Sequence, residues 1–568
     1  CIRDRVEAAQ KLEPSRSALR DALPDWDEEE VIPLFVGRKK ELARLADPAA
    51  DQVQFIIGGP GRGKTALVTA FARQAMAADP NLLVLSGQCR EMVGLGEPLL
   101  PFRQILSQLT GDVTDAAILS REQARRLWEA MPETMPILAA KGLDLVGSLL
   151  PGRGIHARAA SLEQSQTAWF RQFDEKVNNP QRSYLQQERL FGQVAATLQE
   201  AAGKRPLLVI LEDLHWTDTA SASLLFHLSE EIAGSRILLL ATYRPEEVTA
   251  TKGADRHPLA KMANEFKRRF GNVWLDLGHE TAAEGRDFVN ACLDVDGNDL
   301  DEKFRQQLFE HTGGHALFTV ELLRAMRARG DLFLDEDGRW QARERIDWDT
   351  LPGRVEGVIE QRLGRLEDDL LAVLSVASVE GEVFTAQVVA QIQQEDERDL
   401  VRRLSRELEG QHRLVQAEGL AQVDGRRLAR YRFRHQLFQR HLYQGLGEAE
   451  KAYLHEDVGL TLETLYGEQW QPIAATLAWH FDRAGLGEKA LPYLLYAGDE
   501  ARQLNAFEDA ARHYEKALAI YKASGDYAAA ARVLMKLGLV YHSVFDYEKA
   551  RQAYNEGFSL GQQTPVLL

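Results

Sequence analysis

Cysteine is nearly absent: three residues in 568, Cys1, Cys89 and Cys292, far apart along the chain. That excludes a disulfide framework and a zinc knuckle, and it fits a reducing compartment, so a cytoplasmic protein is expected. Long apolar runs are missing too. None approaches the ~18 residues a membrane helix needs, and no secretory leader opens the chain. The first residue is Cys1 rather than Met, so upstream sequence is expected to be missing. An excess of basic residues is also lacking. Lys+Arg number 68 and Asp+Glu 85, a net charge of −17, which argues against broad nucleic-acid or anionic-membrane binding while leaving room for a local basic patch.

What is present is a large globular chain. Apolar residues make up 45%, enough for sizeable cores, and the length implies roughly three to five domains of ~100–200 residues each. The strongest signal is Val53 to Val68. An apolar run, Val53 to Ile57, reads as a buried strand, breaks at Gly58, Gly59, Pro60, Gly61 and Gly63, and gives way to a helical pattern from Lys64 through Leu67, Val68, Ala70 and Phe71. Gly58, Gly63, Lys64 and Thr65 complete the phosphate-loop spacing G-x-x-x-x-G-K-[ST]. Glycines let backbone N–H groups curl around phosphate oxygens, and the helix N-terminus adds partial positive charge. Lys64 is expected to reach the β- and γ-phosphates, and the Thr65 hydroxyl to hold Mg²⁺.

A second signal begins at Pro206. Leu207 to Leu211 read as a buried parallel strand with Glu212 and Asp213 at its C-terminal end, the edge where open α/β sheets bind ligands. One acid is expected to hold Mg²⁺ and the other to polarise the attacking water. By position, Glu212 is assigned to the metal and Asp213 to the water, with the reverse also open. Further strands are expected at Asn81–Ser86, Ser235–Pro245 and Val273–Leu277, the second of them ending in the polar residues Thr242 and Arg244, either of which could sense the γ-phosphate. Strands alternating with helices imply a parallel sheet covered on both faces. Before the loop, Phe35-Val36-Gly37-Arg38 is a turn opening an amphipathic helix, placed to help close an adenine pocket.

The remaining pattern is helical. Residues 1–32 read as helix followed by an acidic linker around Trp26 and Asp27 to Glu30. Residues 115–200 are mostly helical, with a Gly/Pro-rich break at Pro151-Gly-Arg-Gly154. His311 to Phe318 carries paired glycines that mark a tight helix junction. From Leu351 to Leu446, helices at Val355–Leu366, Leu370–Ala377, Ala386–Ile392 and Asp399–Leu408 precede two short strands, Leu414–Ala417 and Tyr431–Arg434, which suggests a winged-helix domain. Residues 450–560 repeat with a period of about 40 residues, as helical solenoids do. Gly498, Ala510, Tyr514 and Ala517 are echoed by Gly538, Ala550, Tyr554 and Gly557, a spacing that lets Tyr fill the hole left by a small residue on the paired helix.

These motifs together resemble the bacterial signal-transduction ATPases with numerous domains (STAND ATPases), similar to maltose-type transcriptional regulators and cyclase-linked AAA ATPases. The residues that carry the resemblance are Phe35–Arg38, Gly58–Thr65, Leu211-Glu-Asp-Leu-His-Trp-Thr-Asp218, Ala241–Pro245, Gly313–Phe318 and Phe433-Arg-His435. The resemblance implies a multidomain chain. An α/β P-loop NTPase core with a parallel sheet spans 33–278, after the linker or tail of an upstream domain at 1–32. A helical lid follows at 279–348, then a winged-helix domain at 349–446 and the start of a tetratricopeptide-type solenoid at 447–568. It implies nucleotide contacts at Val36, Gly37, Arg38, Gly59, Pro60, Gly61, Arg62, Gly63, Lys64, Thr65 and Ala66, and catalytic roles for Lys64, Glu212, Asp213 and Arg244, with Mg²⁺ on Thr65 and Glu212. His435 matches a histidine that touches the β-phosphate of ADP in related switches. Ala316 stands where the family has a proline against the base. The implied function is a slow ATPase switch, ADP-bound at rest and ATP-bound when active. Its repeats would sense an inducer or partner protein. It would self-associate on activation and control an upstream effector, defence output or transcription. Two other readings remain: a constitutive ATPase remodeller, and a DNA-binding regulator acting through the winged helix and Arg402, Arg403, Arg406 and Arg413.

Overall fold

The computed structural model describes residues 35–47, 51–90, 98–112, 120–146, 149–150, 187–249, 257–271, 273–278, 281–343, 346, 348, 351, 355–423 and 425–562. The linker expected at 1–32, the break at Pro151–Gly154 and the last residues, 563–568, lie outside them.

Helix α1 (Lys39–Leu45) precedes β1 (Val53–Ile57), α2 (Lys64–Ala78), β2 (Leu83–Gln88), α3 (Leu100–Gln108), α4 (Arg121–Lys141), α5 (Gln187–Lys204), β3 (Leu207–Glu212), α6 (Thr219–Glu231), β4 (Ile237–Tyr243), α7 (Pro245–Thr249), α8 (Pro258–Phe270) and β5 (Trp274–Asp276). The five strands form one sheet in the order β2-β3-β4-β1-β5, and each neighbouring pair is parallel. Alternation of side chains along each strand feeds two cores. Val53, Phe55, Leu83, Leu85, Leu207, Val209 and Leu211 face one apolar cluster, and Ile56, Val84, Leu208 and Ile210 face the other with Leu67, Val68 and Phe71 of α2. Both faces are dry, so the strands read as continuous apolar runs. Register puts Gln88 opposite Glu212, and Thr242 opposite Ile56, at the C-terminal edge.

After the sheet come α9 (Ala282–Leu293), α10 (Glu302–Thr312) and α11 (Ala316–Arg329), then β6 (Leu332–Leu334) and β7 (Trp340–Ala342), which pair antiparallel. The segment expected to be wholly helical therefore ends in a hairpin; these strands are only three residues long, too short for a period-2 signal to stand out. Next come α12 (Val355–Leu363), α13 (Asp368–Glu380), β8 (Val383–Thr385), α14 (Ala386–Gln393), α15 (Glu397–Arg403, continued by a π-helical stretch to Gln411), β9 (Val415–Val423) and β10 (Arg426–Phe433). The sheet is three-stranded, ordered β8-β10-β9, rather than the pair expected from sequence. β8 was hidden because it is fused to the start of α14, and the hairpin runs longer than its apolar residues suggest.

The chain finishes in α16 (Gln436–Gly445), α17 (Glu448–Tyr466), α18 (Ala474–Arg483), α19 (Gly487–Gln503), α20 (Phe507–Ser524), α21 (Tyr527–Ser543) and α22 (Tyr547–Gln562). The expected Gly–Tyr packing is present. A Cβ on Gly498 would lie 2.6 Å from the ring of the fully buried Tyr514, and the same ring position of Tyr554 crowds Gly538. The Tyr514 hydroxyl donates to Asp499 at 2.6 Å, which fixes the ring. Gly498→Ala is therefore expected to destabilise the repeats by ~1–3 kcal/mol despite the better helix propensity of Ala, measurable as a lower urea midpoint. The repeats also fold back. Ala501, Leu504, Ala506 and Ala510 belong to the same buried cluster as Phe102, Leu224 and Leu228 beside the first sheet, and Thr219 at the start of α6 donates to Glu508 of α20 at 2.7 Å.

Candidate active site

The phosphate loop leaves β1 at Gly58 and enters α2 at Lys64. Gly61 and Gly63 take left-handed backbone angles, φ 71° and 84°, which most side chains resist. Gly61 has a second reason to be glycine: a Cβ there would lie 2.8 Å from the ring of His315 and 2.9 Å from Leu317. The start of α11 is thus pressed onto the loop. The Leu317 N–H donates to the Gly61 carbonyl at 3.0 Å, and His315 Nε2 lies 3.1 Å from the Pro60 carbonyl. On the other side, the Arg38 guanidinium donates to the Arg62 carbonyl at 3.0 Å, bringing the Val36-Gly37-Arg38 turn against the loop. Ala316 lies 3.9 Å from a Cβ built on Gly63. A cavity of about 300 Å³ opens beside Gly59, Pro60 and Arg62, walled by Glu246, His315 and Leu437.

Lys64 is buried, and its ammonium donates to the Gly58 and Gly59 carbonyls at 2.8 and 3.0 Å. Burial, with help from Arg244, pushes its pKa down to about 8. A cation held this way is short of counter-charge and suits an anion such as a phosphate tail. Glu212 is buried too. Burial, then the neighbouring Asp213 charge, pushes its pKa up to about 7. The Thr65 hydroxyl lies within reach of the same carboxyl, while Glu212 Oε1 is buried with no hydrogen-bond partner among the described residues. Hard oxygen donors with one unpaired fit a divalent cation such as Mg²⁺. Thr65 and Ala66 are exposed at the mouth of the helix.

Asp213 follows β3 with φ 56°. Its N–H donates to the Thr242 hydroxyl at 3.1 Å, and its Oδ2 accepts from the Gln88 amide at 3.0 Å. Thr242, at the end of β4, thus supports the acid rather than facing the loop. Arg244 is buried and turned toward the C-terminal helices. It pairs with Glu247 at 2.7 Å, donates to Gln436 of α16, and lies over the Trp216 ring at 5.6 Å. Only its charge reaches Lys64. His435 immediately precedes α16, at the N-cap position but without a side-chain capping bond. Burial holds its pKa down at about 4, with Glu321, Arg244, Arg324 and His315 as the charged or titratable neighbours, so the ring is neutral at pH 7. Leu437, two residues on, lines the cavity. His215 was not expected at the site. Its ring is buried, with neither nitrogen hydrogen-bonded among the described residues, 3.5 Å from Glu247 and 3.9 Å from Asp213. Burial, then Arg244, keeps its pKa near 2. Gln88 was not expected at the site either: the strand expected at Asn81–Ser86 runs on to Gln88, which pairs with Glu212. Arg432, which contacts Gln88, had no signal in the sequence.

Comparison with known proteins gives the class. Residues 34–240 match the AAA ATPase domain family and residues 488–563 match the tetratricopeptide repeat. The first half of the chain is thus similar to AAA ATPase domains, and its last helices are similar to tetratricopeptide repeats. An uncharacterized protein of Rhizobium meliloti (strain 1021) is 24% identical over 385 residues, 65% of this chain and 34% of that protein, so the chain spans about a third of the length of the curated relative it matches. Among solved structures, a STAND protein with a tetratricopeptide repeat sensor from Pyrococcus horikoshii covers 94% of this chain and 78% of its own at 14% identity and a TM-score of 0.38. Cdc6p from Pyrobaculum aerophilum covers 77% and 97% at 14% identity and a TM-score of 0.30. Among the described residues, no helix is long and apolar enough to cross a membrane.

Proposed function

We propose that this chain is an ATP/ADP switch of the STAND type. The nucleotide state is set by how firmly the later segments of the chain hold the phosphate loop. The observation that carries the reading is convergence: α11 bonds the loop through Leu317 and His315, α16 reaches Arg244 through Gln436, and α20 docks on α6 through Glu508. The boundaries 33–278, 279–348, 349–446 and 447–568 describe the units that move, and residues 349–446 are read as a winged helix. Lys64 and the loop amides hold the phosphate tail. Thr65 and Glu212 would hold Mg²⁺, which when bound neutralises phosphate oxygens. Asp213 is the base that takes a proton from water. A partner binding the repeats competes with the Thr219–Glu508 contact and loosens the closed form; ADP leaves, ATP enters and protomers associate. Slow hydrolysis resets the state. The upstream effector and the output, defence or transcription, belong to the same proposal.

The test is the nucleotide that copurifies with the chain, and the mass of the chain with and without ATP by light scattering. Retained ADP in a monomer, and a larger species with ATP, are the expected results; a constant ring with fast turnover would instead support a remodeller. The DNA-binding alternative draws little support from charge. Arg402 is paired with Asp399 at 2.7 Å, and Arg403 with Asp369 and Glu395 at 2.6 and 2.8 Å. Replacing His435 by Ala is expected to raise ADP release several-fold, as loss of one neutral hydrogen bond of ~1 kcal/mol would. Stopped-flow release of a fluorescent ADP analogue measures it, and an unchanged rate removes His435 from the nucleotide site.

A further inference from the structure

The acid pair is touched from a distant part of the chain. Arg432 lies on β10, 344 residues after Gln88, and its Nη1 donates to Gln88 Oε1 at 2.6 Å. The same guanidinium pairs with Glu382, just before β8, at 3.1 Å and with Glu418 on β9. Those two acids already satisfy Arg432 within its own unit. The remaining contact crosses to the ATPase sheet and lands on the one amide that bonds Asp213.

Gln88 is buried, and its backbone N–H and both ends of its side-chain amide are engaged. Its backbone N–H donates to Gln104 Oε1 at 2.7 Å, its side-chain NH₂ donates to Asp213 Oδ2 at 3.0 Å, and its Oε1 accepts from Arg432. An arginine offers donors and no acceptor. Arg432 therefore fixes which end of the amide faces it, and so which end faces the acid. The Asp213 backbone is held separately, by the bond from its N–H to Thr242. What the amide controls is the carboxylate alone.

We propose that Arg432, acting through Gln88, is a positioning residue that clamps the Asp213 carboxylate in the closed chain. This rests on the reading of Asp213 as the base. An oxygen that accepts an amide N–H points at the amide instead of at a water. When the β8-β10-β9 sheet withdraws, the Gln88 amide turns free and Asp213 gains the lone pair it needs. Opening of the chain and competence for hydrolysis become one event, because the residue that reports the sheet's position also sets the base.

The experiment compares the full chain as wild type, Lys64→Ala, Arg432→Met, Gln88→Leu and the Arg432→Met/Gln88→Leu double variant. Each single clamp variant is expected to raise kcat roughly ten-fold with KM for ATP unchanged, the scale of one lost charge-assisted bond. The double variant is expected to match the singles, since both cut one chain of contacts. In nucleotide-free protein, amide exchange across Arg426–Phe433 is expected to quicken in Arg432→Met, a readout independent of turnover. Gln88→Leu keeps the pairs of Arg432 with Glu382 and Glu418, so it tests the clamp even if Arg432→Met folds poorly. Unchanged or lower kcat in Gln88→Leu, or a double effect equal to the product of the singles, overturns the clamp. Wild-type turnover that survives Lys64→Ala overturns the site itself, a distinct failure.

Discussion

Lys64→Ala is expected to leave a folded chain that retains no ADP or ATP. The ammonium is buried, donates to the Gly58 and Gly59 carbonyls, and has its pKa pushed down to about 8 by burial. In the nucleotide-free chain it contributes little, because its desolvation offsets those two bonds. Against a phosphate tail the same charge becomes the central donor, and its loss is expected to cost ~3 kcal/mol or more, over a hundred-fold in affinity. The two states should respond differently. The nucleotide-free melting temperature stays level or rises, while the increase that saturating ADP gives the wild type disappears. Calorimetric titration together with melting curves checks both, and tight ADP binding by the variant would exclude the loop as the nucleotide site.

Gly314→Ala is expected to be strongly destabilising. Gly314 has φ 73°, and a Cβ there would lie 2.6 Å from the Gly285 Cα and 3.0 Å from its carbonyl oxygen. Backbone cannot step aside as a side chain can. The helices α9 and α11 would have to part, and α11 carries His315 and Leu317 against the loop. A loss of ~3 kcal/mol or more is expected from strain and overpacking together, with weakened ADP retention. The neighbouring Gly313 is a built-in control. It also has a positive φ, 59°, but a Cβ there meets nothing within 4 Å. Gly313→Ala is expected to cost only ~1 kcal/mol of backbone strain. Equal losses in the two variants, by urea unfolding, would show that the close approach to Gly285 does not matter.

The two positions also mark where sequence reading stops. Paired glycines at 313 and 314 announce a tight junction, but nothing local says that the second of them touches Gly285. The phosphate loop was legible because strand, glycines, lysine and helix are consecutive, and a local motif needs only local geometry. The acids Glu212 and Asp213 were legible for the same reason, as the end of an apolar run. The family likeness supplied His435, whose side chain the structure puts among Glu321, Arg244, Arg324 and His315. Arg244, one of two residues expected as possible γ-phosphate sensors, bonds Glu247 and Gln436. A strand end fixes where such a side chain starts, while the choice among partners depends on segments far along the chain. Short strands escaped for want of period: β8 and the β6–β7 pair are three residues each.

What the sequence determined by itself was everything encoded by neighbours in the chain. Apolar runs gave buried parallel strands, glycine and lysine spacing gave a loop shaped for phosphate, and small residues alternating with Tyr gave stacked helices. What only the tertiary structure decided was which distant side chains meet at the site: Gln88 with Asp213, Arg432 with Gln88, His315 with Pro60, Glu508 with Thr219. Periodicity and motif spacing carry information over a few turns of helix or one strand. A hydrogen bond between residues 344 apart leaves no such trace, because either partner alone is an ordinary polar residue until the packing of two cores brings them together.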